Sequence, residues 1–182
     1  MIPKSVIMIG GGIQEVEAVR IAQSIGLKVI VTDRNSAAPC FQYADYTAVI
    51  DGRDIESLIA YTLLNKEKLN ISGVFTLTEL VTSVAAVAAA ADLPGVPIKS
   101  AVACQNKQLC KEIWKKKGIP TPYGGIVTTY EEAEKMYLQL GGNIFIKPIV
   151  GFGGQKSGKI NSIAKLKTFF EANTPKVFLM SV

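Results

Sequence analysis

Hydrophobic positions along this 182-residue chain follow two alternating rhythms. Short continuous apolar runs read as buried strands, and stretches with apolar residues three and four apart read as helices. Ser5–Ile9 is the first run, β-branched at several positions and closed by glycines, so it predicts a buried parallel strand. A helical stripe follows over residues 14–25, on Val16, Ala18, Val19, Ile21, Ala22 and Ile25, with Gly26 as its stop. Residues 28–32, 46–50 and 73–76 predict three more strands, the first closed by Asp33 and the second by Asp51. Asp54 is placed to cap a helix that turns Ile55, Leu58, Ile59 and Leu63 inward. Residues 79–91 predict a small-residue helix suited to close packing on a sheet. This alternation of strand and helix predicts an α/β fold, a doubly wound parallel sheet with right-handed crossovers.

The pattern changes after Pro97. Residues 104–117 predict one helix with Leu109, Ile113 and Trp114 inside, Lys107, Lys111 and Lys115 stacked four apart, and Gly118 at its end. Ile119-Pro120-Thr121-Pro122 is rigid and extended. A short strand over 124–128 leads to Thr129 and Glu132, a capping-box pair opening a helix on Ala133, Met136, Tyr137 and Leu140. Gly141-Gly142 stops it, and residues 144–147 form the next strand. Another strand is expected over 159–161, across a glycine loop. Asn161 or Ser162 then caps a helix on Ile163, Leu166, Phe169 and Phe170, and residues 177–180 form a final strand. The expected division is into units 1–98 and 99–182.

Composition and charge narrow the chemistry. Hydrophobic residues make up 48%, which marks a globular protein. Residues 6–9 are too short for a signal peptide and residues 81–91 too short for a bilayer span, so a cytoplasmic setting with no membrane partner is expected. Three cysteines, Cys40, Cys104 and Cys110, make neither a disulfide framework nor a metal spacing, and reduced, mostly buried thiols are expected. The chain has no histidine, which excludes Ser-His-Asp and Cys-His catalysis and removes the commonest zinc ligand. No catalytic residue and no metal-ligand set is assigned. Residues 1–98 hold 7 basic and 10 acidic side chains, net −3, whereas residues 99–182 hold 13 lysines and 5 glutamates, net +8. The second unit therefore faces an anion. It contains no arginine, the residue that reads bases and phosphates in pairs, so a mononucleotide phosphate chain fits better than a nucleic acid.

Two glycine signals carry the candidate chemistry. Gly10-Gly11-Gly12 follows the first strand and Asp33 ends the second, the places where dinucleotide-binding folds put their turn and their ribose-binding acid. The full fingerprint needs glycine at position 15, which is Glu15, and a carboxylate there would repel a pyrophosphate. A tight strand-to-helix turn, a dinucleotide site and the wall of a small-molecule pocket built on Gly11, Gly12 and Glu15 are the three readings. Glu79, just past the fourth strand, is either a helix first-turn acid or a contact for a substrate amine. The second signal is the loop Gly151-Phe152-Gly153-Gly154-Gln155-Lys156-Ser157-Gly158, directly after Lys147. Its spacing fails as a Walker A loop, and a hairpin over phosphates competes with an ordinary surface loop. Glycine amides can approach phosphate oxygens closely, and Lys147 with Lys107 favours phosphate. Lys107 sits in a helix first turn, where positive charge opposes the dipole, whereas Lys115, Lys116 and Lys117 complement a helix end.

Over nearly its whole length the chain resembles the ATP-grasp ligase superfamily. Residues 1–98 resemble that family's Rossmann-like N-terminal domain through Gly10-Gly11-Gly12, the run Ile25-Gly26-Leu27-Lys28-Val29-Ile30 into Asp33-Arg34, Pro39, Ala44-Asp45 and Gly73-Val74-Phe75-Thr76. The rest resembles its small α+β lid subdomain through Asn106-Lys107, Lys117-Gly118-Ile119-Pro120-Thr121-Pro122 and Ile146-Lys147-Pro148 with its glycine loop. The resemblance implies that Lys107 and Lys147 touch ATP phosphates, Lys147 also lying near the adenine. It implies that Gly153, Gly154, Lys156, Ser157 and Gly158 form the mobile loop over the β- and γ-phosphates. It further implies ATP and Mg²⁺ as cofactors, small-molecule carboxylate and amine (or thiol) substrates, and an acyl-phosphate intermediate.

The departures set a further expectation. The loop is a residue longer than usual, and Ser181-Val182 stand where the family's adenine-binding hinge would begin. After the loop the one acid is Glu171, so the Mg²⁺ ligands are expected outside this chain. A chain cut short, a split-gene subunit completed by a second chain, and a degenerate binding protein all fit. The chain alone is expected not to turn over. The competing classes are an NAD(P)-binding oxidoreductase domain and a non-catalytic nucleotide-binding or interaction subunit.

Overall fold

In the computed structural model, which describes residues 3–151, 154–173 and 177–182, the first apolar run sits inside a sheet. Strands β1 (Ser5–Ile9), β2 (Lys28–Asp33), β3 (Tyr46–Val49) and β4 (Ile71–Phe75) pair in parallel in the order β3-β2-β1-β4. Successive side chains of β1 point to opposite faces, and both faces are covered. Ile7 and Ile9 pack with Ile30 against Leu58 of α2 (Ile55–Asn65) and Val87 and Ala88 of α3 (Val81–Ala90). Met8 packs with Val29 and Val31 against Val16, Val19 and Ala22 of α1 (Val16–Ser24). This is the doubly wound parallel sheet that the strand–helix alternation predicts. Asp54 caps α2, its carboxylate accepting from the Ser57 N–H at 3.1 Å.

Two details differ from the expectation in this unit. The stripe over 14–25 begins as a 3₁₀ turn (Ile13–Glu15) and becomes α-helix only at Val16. Helix α3 starts at Val81, so Glu79 lies ahead of the helix and is not a first-turn acid.

The chain divides into two compact units, Met1–Val102 and Ala103–Val182, and the division falls within α4 (Ile98–Gln105). In the second unit, β5 (Gly124–Val127), β6 (Ile144–Pro148), β7 (Gly158–Ile160) and β8 (Phe178–Ser181) form an antiparallel sheet in the order β5-β8-β6-β7. Helices α6 (Tyr130–Gln139) and α7 (Ile163–Ala172) cover one face. Ala133, Tyr137, Leu166 and Phe170 meet Val127, Ile144, Ile146, Ile160, Phe178 and Met180 there. The rings of Phe170 and Phe178 pack edge to face at 5.5 Å, a geometry that adds roughly 0.5–1.5 kcal/mol to their burial. Thr129 and Glu132 form both halves of the expected capping box on α6, and Ser162 caps α7.

The single helix expected over 104–117 is two. Asn106 is extended (φ −103°, ψ 105°) and its side chain accepts from the N–H groups of Gln108 and Leu109, which ends α4 and caps α5 (Lys107–Lys116). The inward side of α5 also differs. Leu109 and Trp114 are 36% and 43% exposed, while Lys111 is 5% exposed. Among the described residues, no helix is long and apolar enough to cross a membrane.

Candidate functional site

The Asn106 cap places Lys107 at the first position of α5. Two hydrogen bonds tie that position to the chain leaving β6. The Lys107 N–H donates to the Ile149 carbonyl at 3.0 Å, and its ammonium donates to the Gly151 carbonyl at 2.7 Å. A lysine at a helix N-terminus is disfavoured by the dipole, and this second bond accounts for its position. Lys147 comes from the middle of the sheet, on β6. Its neighbours in sequence and register show which way it points. Ile146 and Met180 pair and belong to the buried core, so Lys147 and its partner Leu179 belong to the opposite face.

The loop after β6 returns as β7, with Gly158 registered against Ile146, so the glycine segment is a hairpin connection. Gly151 (φ 141°) and Gly154 (φ 71°) adopt conformations that favour glycine, and Lys156 takes the left-handed region at φ 50°. Gly153 lies outside the described residues.

Lys107 and Lys147 line two cavities at once. One, of about 240 Å³, is closed by Phe145, Pro148 and the loop residues Gly151, Gly154, Gln155 and Ser157. The other, of about 170 Å³, is walled by Trp114, Thr121, Pro122 and Leu179, with Lys111, Ser181, Cys104 and Cys110 completing its lining. No acidic side chain lines either cavity. Burial and then the charge of Lys147 hold the Lys107 ammonium below the usual lysine range. Burial, then Lys115 and Lys147, do the same to Lys111. Of the loop residues predicted for the phosphate site, Gly154 and Ser157 line the first cavity. Lys156 instead lines a neighbouring one with Asn106, Val150 and Val177, and Gly158 lines none of the three. Sequence reasoning noted Lys111 only as one of a stack. Its i+4 spacing from Lys107 was the available signal, because it puts both on one helix side.

The glycine turn of the first unit is closed on itself. The Gly10 N–H donates to the Thr32 carbonyl at 2.8 Å, and the Gly11 N–H to the Asp33 carboxylate at 2.8 Å. The other Asp33 oxygen accepts from the Asn35 N–H at 2.8 Å. The Gly11 carbonyl accepts from the Cys40 N–H, and the Gly12 carbonyl from the Cys40 thiol at 3.1 Å. A side chain on Gly11 would lie 2.9 Å from Val31 Cγ1, and one on Gly12 would lie 2.6 Å from Glu15 Oε2. Gly11 is thus needed for packing, whereas at Gly12 only the end of the flexible Glu15 side chain would have to move. Two of the three turn amides already have partners, which leaves little to offer a pyrophosphate. Glu15 is buried, and Glu79 pairs with Arg53 at 3.0 Å. Burial first, then Glu15 and Asp33, push the Cys40 thiol up to about 11, so it is inert. The expectation of mostly buried thiols holds for Cys40 alone, because Cys104 is exposed and Cys110 half-buried. Among the described residues, no group of three or more acidic or cysteine side chains is placed to hold a metal.

The fold is thus an α/β unit followed by an antiparallel sheet with a lysine-lined hairpin cavity. No family model matches the chain. It is similar to the formate-dependent phosphoribosylglycinamide formyltransferase of Prochlorococcus marinus (strain MIT 9303), with 25% identity over 98% of this chain and 47% of that protein. Among solved structures, an N5-carboxyaminoimidazole ribonucleotide synthetase in complex with ADP superposes with a TM-score of 0.81 at 20% identity, over 100% of this chain and 47% of the other. The biotin carboxylase domain of the Hydrogenobacter thermophilus 2-oxoglutarate carboxylase, solved with MgADP, ADP and bicarbonate, gives 0.74 at 18% identity, over 100% and 44%. The chain shares the ATP-grasp fold of these proteins, and it spans about half the length of the relatives it matches.

Proposed function

We propose that this chain is the nucleotide-holding part of an ATP-dependent ligase that joins a carboxylate to an amine or a thiol. The observation that carries the reading is the convergence of Lys107, Lys147 and the hairpin residues Gly151, Gly154 and Ser157 on one cavity without an acid. Such a cavity suits a phosphate chain. The adjoining cavity, walled by Trp114, Pro122 and Leu179, suits the base, with the two lysines between base and terminal phosphates. ATP, when bound, supplies the phosphoryl group that activates the carboxylate. The task of this chain is electrostatic: ammonium groups and loop amides hold the phosphates in place and neutralise charge as it moves. Mg²⁺ would ride on the phosphates, with acidic ligands supplied by the remaining half of the fold, further along the polypeptide or on a second chain. The first unit, placed at 1–98, would face the small-molecule substrates. Gly11, Gly12, Glu15 and Glu79 are weaker candidates for that contact, since their polar groups are mostly engaged or buried. A cytoplasmic setting suits its three free cysteines.

Isothermal titration of the full 182-residue chain tests this reading. ATP and tripolyphosphate are expected to bind and NAD is not. Lys147→Met is expected to weaken ATP about tenfold or more, as for loss of a charge-assisted hydrogen bond. The chain alone is expected to release no ADP. Binding of NAD in preference to ATP, or turnover by the isolated chain, would overturn the proposal.

A further inference from the structure

Helix α5 turns a lysine inward and leaves a leucine and a tryptophan outside, the reverse of what burial of apolar surface selects. An ammonium taken out of water without a partner is costly, and proteins tolerate it where a counter-charge arrives. The ion pairs Arg20–Glu17, Lys28–Asp45 and Arg53–Glu79 do not include Lys111, which has no carboxylate among the described residues. The titratable groups around it are Lys107, Lys115 and Cys110 on its own helix, Cys104 on α4 and Lys147 on β6. All are cationic or neutral.

We infer that Lys111, which shares the base-side cavity with Lys107 and Lys147, is a third cationic ligand of the bound phosphate chain at its end nearer the base, and that it raises the negative charge the site demands above what two lysines would set. The inference rests on the polyphosphate reading of the same cavities. In the free protein the three ammonium groups oppose one another, and the anion relieves that opposition. Relief has a second consequence. Lys111 is held below the usual lysine range by burial and by Lys115 and Lys147. An arriving phosphate favours the charged form, and the protein takes up a proton as the anion binds. A lysine whose stem merely fills space would do neither.

The experiment is titration calorimetry of the full chain and its Lys111→Met and Lys111→Arg variants with tripolyphosphate, ATP and adenosine. It is run at alkaline pH in two buffers of different ionisation enthalpy, beside thermal melts without ligand. Lys111→Met is expected to weaken tripolyphosphate and ATP about tenfold or more while leaving adenosine unchanged. The wild type is expected to take up protons on binding tripolyphosphate, and Lys111→Met to take up fewer. Lys111→Arg, which stays charged, is expected to recover affinity without the proton uptake. The unliganded Lys111→Met protein is expected to melt at or above the wild-type temperature, since a buried unpaired charge is gone. Unchanged tripolyphosphate affinity in Lys111→Met, beside a wild type that binds, overturns this inference and leaves the ligase reading standing. A loss confined to adenosine assigns Lys111 to the base and overturns it as well, and a lower melt in the free variant assigns it to packing. A wild type that binds neither tripolyphosphate nor ATP removes the ligase reading and this inference together.

Discussion

Ile30 in the first sheet and Leu179 in the second are both nearly inaccessible, at 0% and 3% exposure, but different things cover them. Ile30 lies in a layer sealed by α2 and α3, in a sheet covered on both faces. Leu179 lies on the sheet face away from α6 and α7 and borders a cavity shared with three lysines. The polar groups follow the same division. Around the first sheet the charged groups pair: Asp33 with the Gly11 and Asn35 amides, Arg53 with Glu79, and Lys28 with Asp45, although the buried Thr32 hydroxyl has no hydrogen-bond partner. Around the second, Lys107 finds one carbonyl, and Lys111 and Lys147 find no carboxylate among the described residues. A fold that meets the needs of its own charges leaves little for a ligand. The second unit leaves Lys111 and Lys147 without a carboxylate, which is the contrast that the proposed anion site rests on.

The largest effect that would sharpen this contrast is a matched pair of cavity mutants. Ile30→Ala should cost about 4 kcal/mol, because its sealed layer cannot relax. Leu179→Ala should cost about 2 kcal/mol, since a void already borders it, and it should alter ATP affinity where Ile30→Ala does not. Urea denaturation of the two variants checks the ranking, and equal costs would erase the contrast. Next in size is Gly11→Ala, whose methyl would press on Val31 and Ala38. It should cost about 1–3 kcal/mol of stability and leave tripolyphosphate binding untouched, read by the same denaturation and by calorimetry. The smallest effect is a pH dependence. Burial works against ionisation of Asp45, but hydrogen bonds from Gln23, Lys28 and the Val29 N–H outweigh it and hold the carboxyl below its usual range. Its contribution is complete above the unfolded value of about 3.9 and is lost as pH falls through the folded value. Asp45→Asn should therefore flatten the acid limb of a stability–pH curve, and an unchanged limb would show that this pairing contributes nothing.

Much of the fold was legible because local signals and tertiary structure agree. The apolar run Ser5–Ile9 is β1 as read, and Asp54, Thr129 with Glu132, and Ser162 all cap the helices they precede. Asn106 carries a legible signal of its own: asparagine is a strong N-cap, and here it divides a helix that periodicity alone makes continuous. The burial of Lys111 was not legible, because an apolar stripe is assigned to the inside on the premise that a core lies opposite it. Against α5 there is a cavity instead. Lys107 and Lys147 were read from their chemistry, and the structure places both at one cavity. Lys156 has a left-handed backbone and lines a different cavity, neither of which composition announces. The Arg53–Glu79 pair joins residues 26 apart and needed coordinates to see.

Strand β6 serves two masters in five residues. Ile144 and Ile146 complete the hydrophobic interior, and Phe145 and Lys147, between them, present the opposite surface. Because the side-chain period is two, inserting or deleting one residue within this strand would exchange the two sets. Isoleucine would then face the lysine-lined cavity and the lysine would be driven into the oily layer, so the core and the cavity would be disrupted in the same event. A length change in the hairpin beyond Pro148 leaves this alternation intact.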